Sequence, residues 1–111
     1  MFIATITGKV GKVDEVRTVG DSKVKNFSVA HNFKRGDEWE TVWYECALWG
    51  SRAEALDFGP GDTVTVATNQ AITANIYMAK DPENAKKKIP AASLKVYVDQ
   101  IHITRKAAQE G

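Results

Sequence analysis

A chain of 111 residues, with 43% hydrophobic types, 26% charged types and a formal net charge of +1, fits one globular domain and excludes both a disordered composition and two ordinary domains. Its single cysteine excludes an intrachain disulfide and a Cys/His zinc cluster. No apolar run approaches ~18 residues, and the opening Met1-Phe2-Ile3-Ala4-Thr5 has neither a charged nor an apolar leader region, so no membrane span and no signal peptide are expected and a reducing cytoplasm is the expected compartment.

Val, Ile and Thr recur with polar/apolar alternation, so the chain reads as mostly β. A first strand is predicted over residues 3–16, interrupted by Gly8 and Gly11 as a bent or bulged strand would be. Residues 18–22 read as a turn, and residues 23–34 as a second strand. A further turn follows at 35–38, where Gly36 tolerates a positive φ.

The third strand, 39–49, alternates most clearly. Val42, Tyr44, Cys46 and Leu48 form one face, which looks like core. Thr41, Trp43, Glu45, Ala47 and Trp49 form the other, which sets two indoles beside a charge and a hydroxyl. Ser51 and Glu54 match a capping box for a short helix reaching about Asp57, stopped by Gly59-Pro60-Gly61.

A fourth strand is predicted over 62–76, with Val64 and Val66 inward. Residues 80–90 are polar, basic and flanked by proline, and read as a loop or hairpin tip. In the fifth strand Leu94, Val96 and Val98 alternate with Lys95, Tyr97 and Asp99. Ile101 and Ile103 continue it with the phase shifted by one, which predicts a bulge near Asp99-Gln100. Residues 105–111 read as a frayed C-terminal end, leaving 1–104 as the domain. Five strands with one short helix between the third and fourth is the layout of an all-β, five-stranded OB-fold barrel.

Ordered stretches then point to a family. They are Ile6-Thr7-Gly8-Lys9-Val10-Gly11-Lys12, Glu15-Val16-Arg17, Val24, Asn26-Phe27-Ser28-Val29-Ala30, Trp43-Tyr44-Glu45-Cys46-Ala47-Leu48-Trp49-Gly50, Ala53-Glu54 and Gly59-Pro60-Gly61-Asp62-Thr63-Val64. In this order and spacing, over about residues 3–66, the chain resembles the bacterial and phage single-stranded DNA-binding proteins of the SSB family. Ile101-His102-Ile103 matches the family's closing strand more loosely.

The resemblance implies an OB fold, usually a homotetramer, that binds and protects single strands without base specificity in replication, repair and recombination. It implies a bacterial or phage-encoded, nucleoid-associated protein of the cytoplasm that has no cofactor, holds no metal and is not an enzyme. It places Trp43 and Trp49 where the family stacks bases, with Phe33 and Tyr77 near two further aromatic positions.

The residues support that expectation independently. An aromatic ring can stack on any base, with a worth of ~1–3 kcal/mol per base. By period two, Trp43 and Trp49 share a face ~20 Å apart along the strand. The 15 basic and 14 acidic residues nearly cancel, so phosphate contact needs local segregation of charge. Lys12, Arg17 and Arg52 flank the matched stretches and are the candidate phosphate contacts, together with Lys86, Lys87 and Lys88 beside a potential binding arm.

Duller readings stand beside these. Either indole could serve as a subunit contact, Phe33 and Tyr77 as packing, Trp39 as a staple on its turn, Tyr97 as a cross-strand contact and the lysine run as a solvated loop. Cys46 falls on the apolar face as a small hydrophobe, and neither His31 nor His102 has the spacing of a catalytic pair.

Three departures from the family stand out. Tyr44 follows the strand-three tryptophan where many members have histidine. Val13-Asp14 replaces a common Asp-Pro pair. This sequence ends at Gln109-Glu110-Gly111 without the family's acidic recruiting tail, either a truncation or a natural short form, so tail-mediated recruitment of partners is not supported.

Two other functions compete. A relative of primosomal replication protein N would keep the fold, form a dimer and bridge replication-restart factors. A small nuclease would need a metal held by carboxylates. Asp14/Glu15, Asp37/Glu38/Glu40 and Asp81/Glu83 lie in or beside predicted turns and loops, where such groups are mostly solvated.

Overall fold

The computed structural model describes residues 1–81, 83–84 and 86–106. Residues 107–111, within the end expected to fray, lie outside the described residues. The elements in chain order are β1 (Ala4–Val13), β2 (Arg17–Val19), β3 (Ser22–Arg35), β4 (Glu38–Trp49), α1 (Arg52–Ala55), β5 (Thr63–Thr68), β6 (Thr73–Lys80), β7 (Lys88–Val98) and β8 (Gln100–Arg105). The fold is all-β and OB-like.

One ladder runs β6-β7-β4-β3-β1-β5-β8, with β2 also paired to β3. Every pairing is antiparallel except that of β4 with β7, which is parallel. The ladder does not close into a hydrogen-bonded ring. Its β8 end is joined to β7 through a single residue, Asp99.

The hairpins follow from local chemistry. Gly20-Asp21 joins the Val19↔Ser22 pair, and Gly36-Asp37 joins Arg35↔Glu38. Each glycine has φ near +61°, the left-handed conformation a two-residue hairpin needs. In β1, the register shift between Val10 and Val13 puts an irregularity beside Gly11, within the stretch the glycines mark.

The core lies on one face of the curled sheet. Ile6, Val10, Phe27, Val29, Cys46 and Leu48 meet Phe58, Val64, Val66, Val96, Val98 and Ile101, with Tyr44 and Val13 packed at its margin. Phe58 sits edge-on to Phe27 at 4.8 Å between ring centres and receives the Lys25 ammonium on its face at 4.4 Å.

Several local expectations are revised. The capping box does not form. Ser51 is itself helical and makes no side-chain cap bond, and Glu54 instead approaches Lys23 Nζ at 3.6 Å across the surface. With a single turn of helix, few amides need a cap, and the main chain supplies Ala53 N–H to Gly50 O.

The predicted fourth strand divides into β5 and β6. Thr68 Oγ1 accepts from Gln70 N–H at 3.1 Å, and Asp99 accepts from Asn69 N–H at 2.6 Å, drawing that backbone away from the ladder. Asp99 N–H is meanwhile bound to Ala67 O, so this residue both joins β7 to β8 and fixes the break opposite. The bulge expected near Asp99-Gln100 is instead a break between two strands, β7 paired to β4 and β6 and β8 paired to β5. β7 begins earlier than its alternation suggests because residues 88–93 pair with β6.

Two positions make sharp demands. A Cβ on Gly8 would collide with the Ala30 carbonyl and lie 2.9 Å from a Val29 methyl, so only glycine lets β1 approach β3 here. Gly8→Ala is expected to destabilise the fold by ~1–3 kcal/mol through overpacking, seen as a lower urea midpoint. An unchanged midpoint would show that the strands can separate without cost.

Burial, and secondarily the Glu45 charge, push the Cys46 thiol up to about 12. Nucleophilic thiolate is thereby suppressed, so native Cys46 should resist a disulfide reagent at pH 8 and react once urea unfolds the chain. Between the ordinary thiol value of 9.0 and about 12, an unfolded chain releases a proton that the fold retains, so this group lowers stability as pH rises through that window. Rapid labelling of the folded protein would contradict both statements.

Candidate nucleic-acid interface

The outer face of the sheet is set by register. In β4, the odd positions Trp39, Trp43, Glu45 and Trp49 fall opposite in parity to core residues Cys46 and Leu48. Across the antiparallel pair, Trp43 faces Ala30 and Glu45 faces Ser28. Across the parallel pair, Glu45 is level with Lys95 and Ala47 with Tyr97. Lys95 is in turn level with Thr73, and Ser93 with Asn75, which places Tyr77 two residues further on the same face. The β4, β7 and β6 strands thus share a wet surface carrying indole, phenol, amide and charged groups.

Both tryptophans remain open to solvent, Trp43 at 46% and Trp49 at 40% of full exposure, and Tyr77 is 47% exposed. Trp43 and Tyr77 line one groove of about 400 Å³. Glu45 and Ser93 belong to that groove and to a neighbouring one of about 550 Å³, whose walls include Asn26, Thr73, Asn75 and Lys95. A smaller hollow of about 100 Å³ lies among Lys12, Asp14, Phe27, Ser28 and Glu45. The three hollows share Glu45, giving a shallow track across the sheet.

Trp43 is held rather than loose. A Cβ placed on Gly11 would lie 2.6 Å from its Cζ3 and 2.8 Å from its Cη2, so the indole's outer rim rests on bare backbone. Ser28 Oγ, beside it, accepts Lys12 N–H at 2.9 Å and secures the irregular part of β1. A ring fixed in this way loses little freedom when a flat ligand stacks on it.

The remaining candidates scatter. Phe33 pairs with Glu40, at the parity of Phe27 and Val29, and so belongs to the opposite face of the β3–β4 hairpin. It is half-buried, stacked against His31 at 6.2 Å and 11°, and its ring has the Arg35 guanidinium at 5.7 Å. Arg35 also pairs with Glu40 at 3.3 Å.

Lys12 is exposed at the rim of the small hollow, with Nζ 3.5 Å from Asp14. Arg17 and Arg52 are exposed on β2 and α1. Lys86, Lys87 and Lys88 are exposed at the tip of the β6–β7 hairpin.

The groove walls from β6 and β7, notably Asn75, Ser93 and Lys95, were not singled out by sequence reasoning. Only the placement of Lys95 opposite the core residues of its strand hinted at them. Among the described residues, no group of three or more His, Cys, Asp or Glu side chains is arranged to hold a metal ion, and no helix is long and apolar enough to cross a membrane.

No family model matches the sequence, and no curated protein matches it significantly. Solved structures do. The chain is similar to the second single-stranded DNA-binding protein, SSBb, of Mycobacterium smegmatis, at 18% identity and a TM-score of 0.61, covering 98% of this chain and 97% of that one. It is equally similar to the protein PriB of Ralstonia solanacearum, at 10% identity and a TM-score of 0.62, covering 95% and 99% respectively. At such identities the likeness establishes a shared fold.

The seat of Trp43 can be tested directly. With Trp39 and Trp49 replaced by Phe, Trp43 is the sole indole. Adding Gly11→Ala should then red-shift its emission and speed its quenching by acrylamide. Identical spectra with and without the added methyl would mean that the ring does not rest there.

Proposed function

We propose that this protein binds single-stranded DNA through its outer sheet face, without enzymatic activity, and protects it during replication, repair and recombination. The observation that carries the reading is the pair of half-exposed indoles on one face of β4, with Tyr77 sharing the groove of Trp43. Stacking on these rings requires only the flat surface every base has, so the stacking contribution itself is tolerant of sequence. Lys12 at the rim and Lys86, Lys87 and Lys88 at the hairpin tip would take phosphates, as Arg17 and Arg52 would where the strand leaves the sheet. Phe33, set on the opposite face between a ring and a guanidinium, serves only if the strand wraps over the hairpin.

Homotetramer assembly and a cytoplasmic, nucleoid-associated setting belong to the same proposal. The SSBb likeness supports it, and the likeness to PriB supports the bridging reading to the same degree. The open indole face favours strand binding as the primary role, and the mass of the free protein in solution separates tetramer from dimer.

Titration with oligo(dT) should quench tryptophan emission, with affinity falling as salt rises by a slope of ~−0.7 per phosphate neutralised. Trp43→Ala and Trp49→Ala should each weaken binding by ~1–3 kcal/mol while leaving the unfolding midpoint near that of the parent. Normal binding by both variants would refute the stacking assignment.

A further inference from the structure

The wet face holds a charge that a simple phosphate-binding track would not need. Glu45 is exposed, stands between Trp43 and Trp49 on β4, and is the wall common to all three hollows. Its in-register neighbour on β7 is Lys95, yet the Lys95 ammonium lies over the Tyr97 ring at 5.4 Å. Among the described residues the Glu45 carboxylate makes no hydrogen bond or ion pair. A free carboxylate accepts hydrogen bonds and donates none. Set mid-track, it repels a phosphate passing close by and attracts any donor on a ligand stacked against the rings beside it.

We infer that Glu45 reads base edges, making this face prefer strands that contain guanine, and to a lesser extent cytosine, over strands of thymine alone. The inference rests on the single-strand reading above. The hydrogen-bonding edge of guanine carries two adjacent donors, N1–H and the N2 amine, which match the two oxygens of a carboxylate. Cytosine offers its N4 amine next to an acceptor, and Glu or Asp accepting from that amine is a known pairing. Thymine offers N3–H between two carbonyl oxygens, each of which repels the carboxylate. A charge-assisted, two-point contact is the strongest of the three. The same charge keeps the phosphates away from mid-track and toward the Lys12 rim, so bases face the sheet and the backbone faces out.

The test compares two strands of equal length, oligo(dT) and oligo(dT) with isolated, well-spaced guanines, using the parent protein and Glu45→Gln. The parent should bind the guanine strand ~5-fold or more tightly than oligo(dT). Glu45→Gln should bring that ratio close to one while binding oligo(dT) more tightly than the parent does. Replacing the guanines by hypoxanthine, which lacks the N2 amine, should lower the parent's preference and leave the variant's unchanged. A parent ratio near one, or a ratio that Glu45→Gln preserves, overturns the role of Glu45 and leaves single-strand binding intact. Failure of the parent to bind either strand removes single-strand binding itself, and this inference with it.

Discussion

The β3–β4 pairing is the constraint on which the rest of the molecule depends. Its register runs without interruption from Val24↔Trp49 to Arg35↔Glu38. Side chains alternate strictly along each strand, so this one alignment sends Phe27, Val29, Cys46 and Leu48 inward and Trp43, Glu45 and Trp49 outward. A slip by one residue would bury two indoles and a carboxylate and expose the centre of the core. The cost of an unpaired buried charge alone opposes that slip. The Gly36-Asp37 turn fixes the same register from the tip. Core burial and turn geometry therefore agree on a single answer.

From that ladder the outer face is extended by less local means. The parallel pairing of β4 with β7 brings Lys95 and Tyr97 alongside Glu45 and Ala47, and the β6–β7 hairpin adds Asn75 and Tyr77. On the other side, glycine governs how closely β1 can lie. Gly8 admits the Ala30 carbonyl, and Gly11 admits the Trp43 ring. The interruptions of β1 that look like weaknesses in a strand are thus positions where backbone or indole occupies the space a side chain would take. Packing in the interior and the pose of a surface ring are settled by the same short stretch.

Much of this was legible in the sequence because it depends on short-range periodicity. The alternation of 39–49 identified both faces of β4, and the phase change after Val98 located the break at Asp99. The interruption of 62–76 was not legible, because it depends on Asp99 accepting from Asn69 N–H across thirty positions of chain. The capping-box pattern misled because a helix of one turn has little need of it, and Glu54 found a surface lysine instead. At the site, the family resemblance implied Trp43 and Trp49, and period two alone gave their common face. The grouping of Trp43 with Tyr77 required the β4–β7–β6 registers, which no local pattern encodes. Phe33 shows the converse. The resemblance put it near a further aromatic position of the family, but its parity on β3 places it on the face opposite Trp43.

On the proposed reading, a near-neutral chain that binds a polyanion has to obtain its affinity from something other than overall charge. The formal net charge of +1 gives little long-range attraction, and the outer face sets Lys95 against Glu45. What the face offers in quantity is flat aromatic surface, partly exposed and, at Trp43, held in place by backbone beneath it. On the proposed reading, free energy then comes mainly from stacking, with counterion release confined to the rim and the hairpin tip. Such a balance gives binding that salt weakens less steeply than it would a uniformly basic groove. It would also give a mid-track carboxylate a tolerable place, since Glu45 would then meet bases and not the phosphates that oppose it.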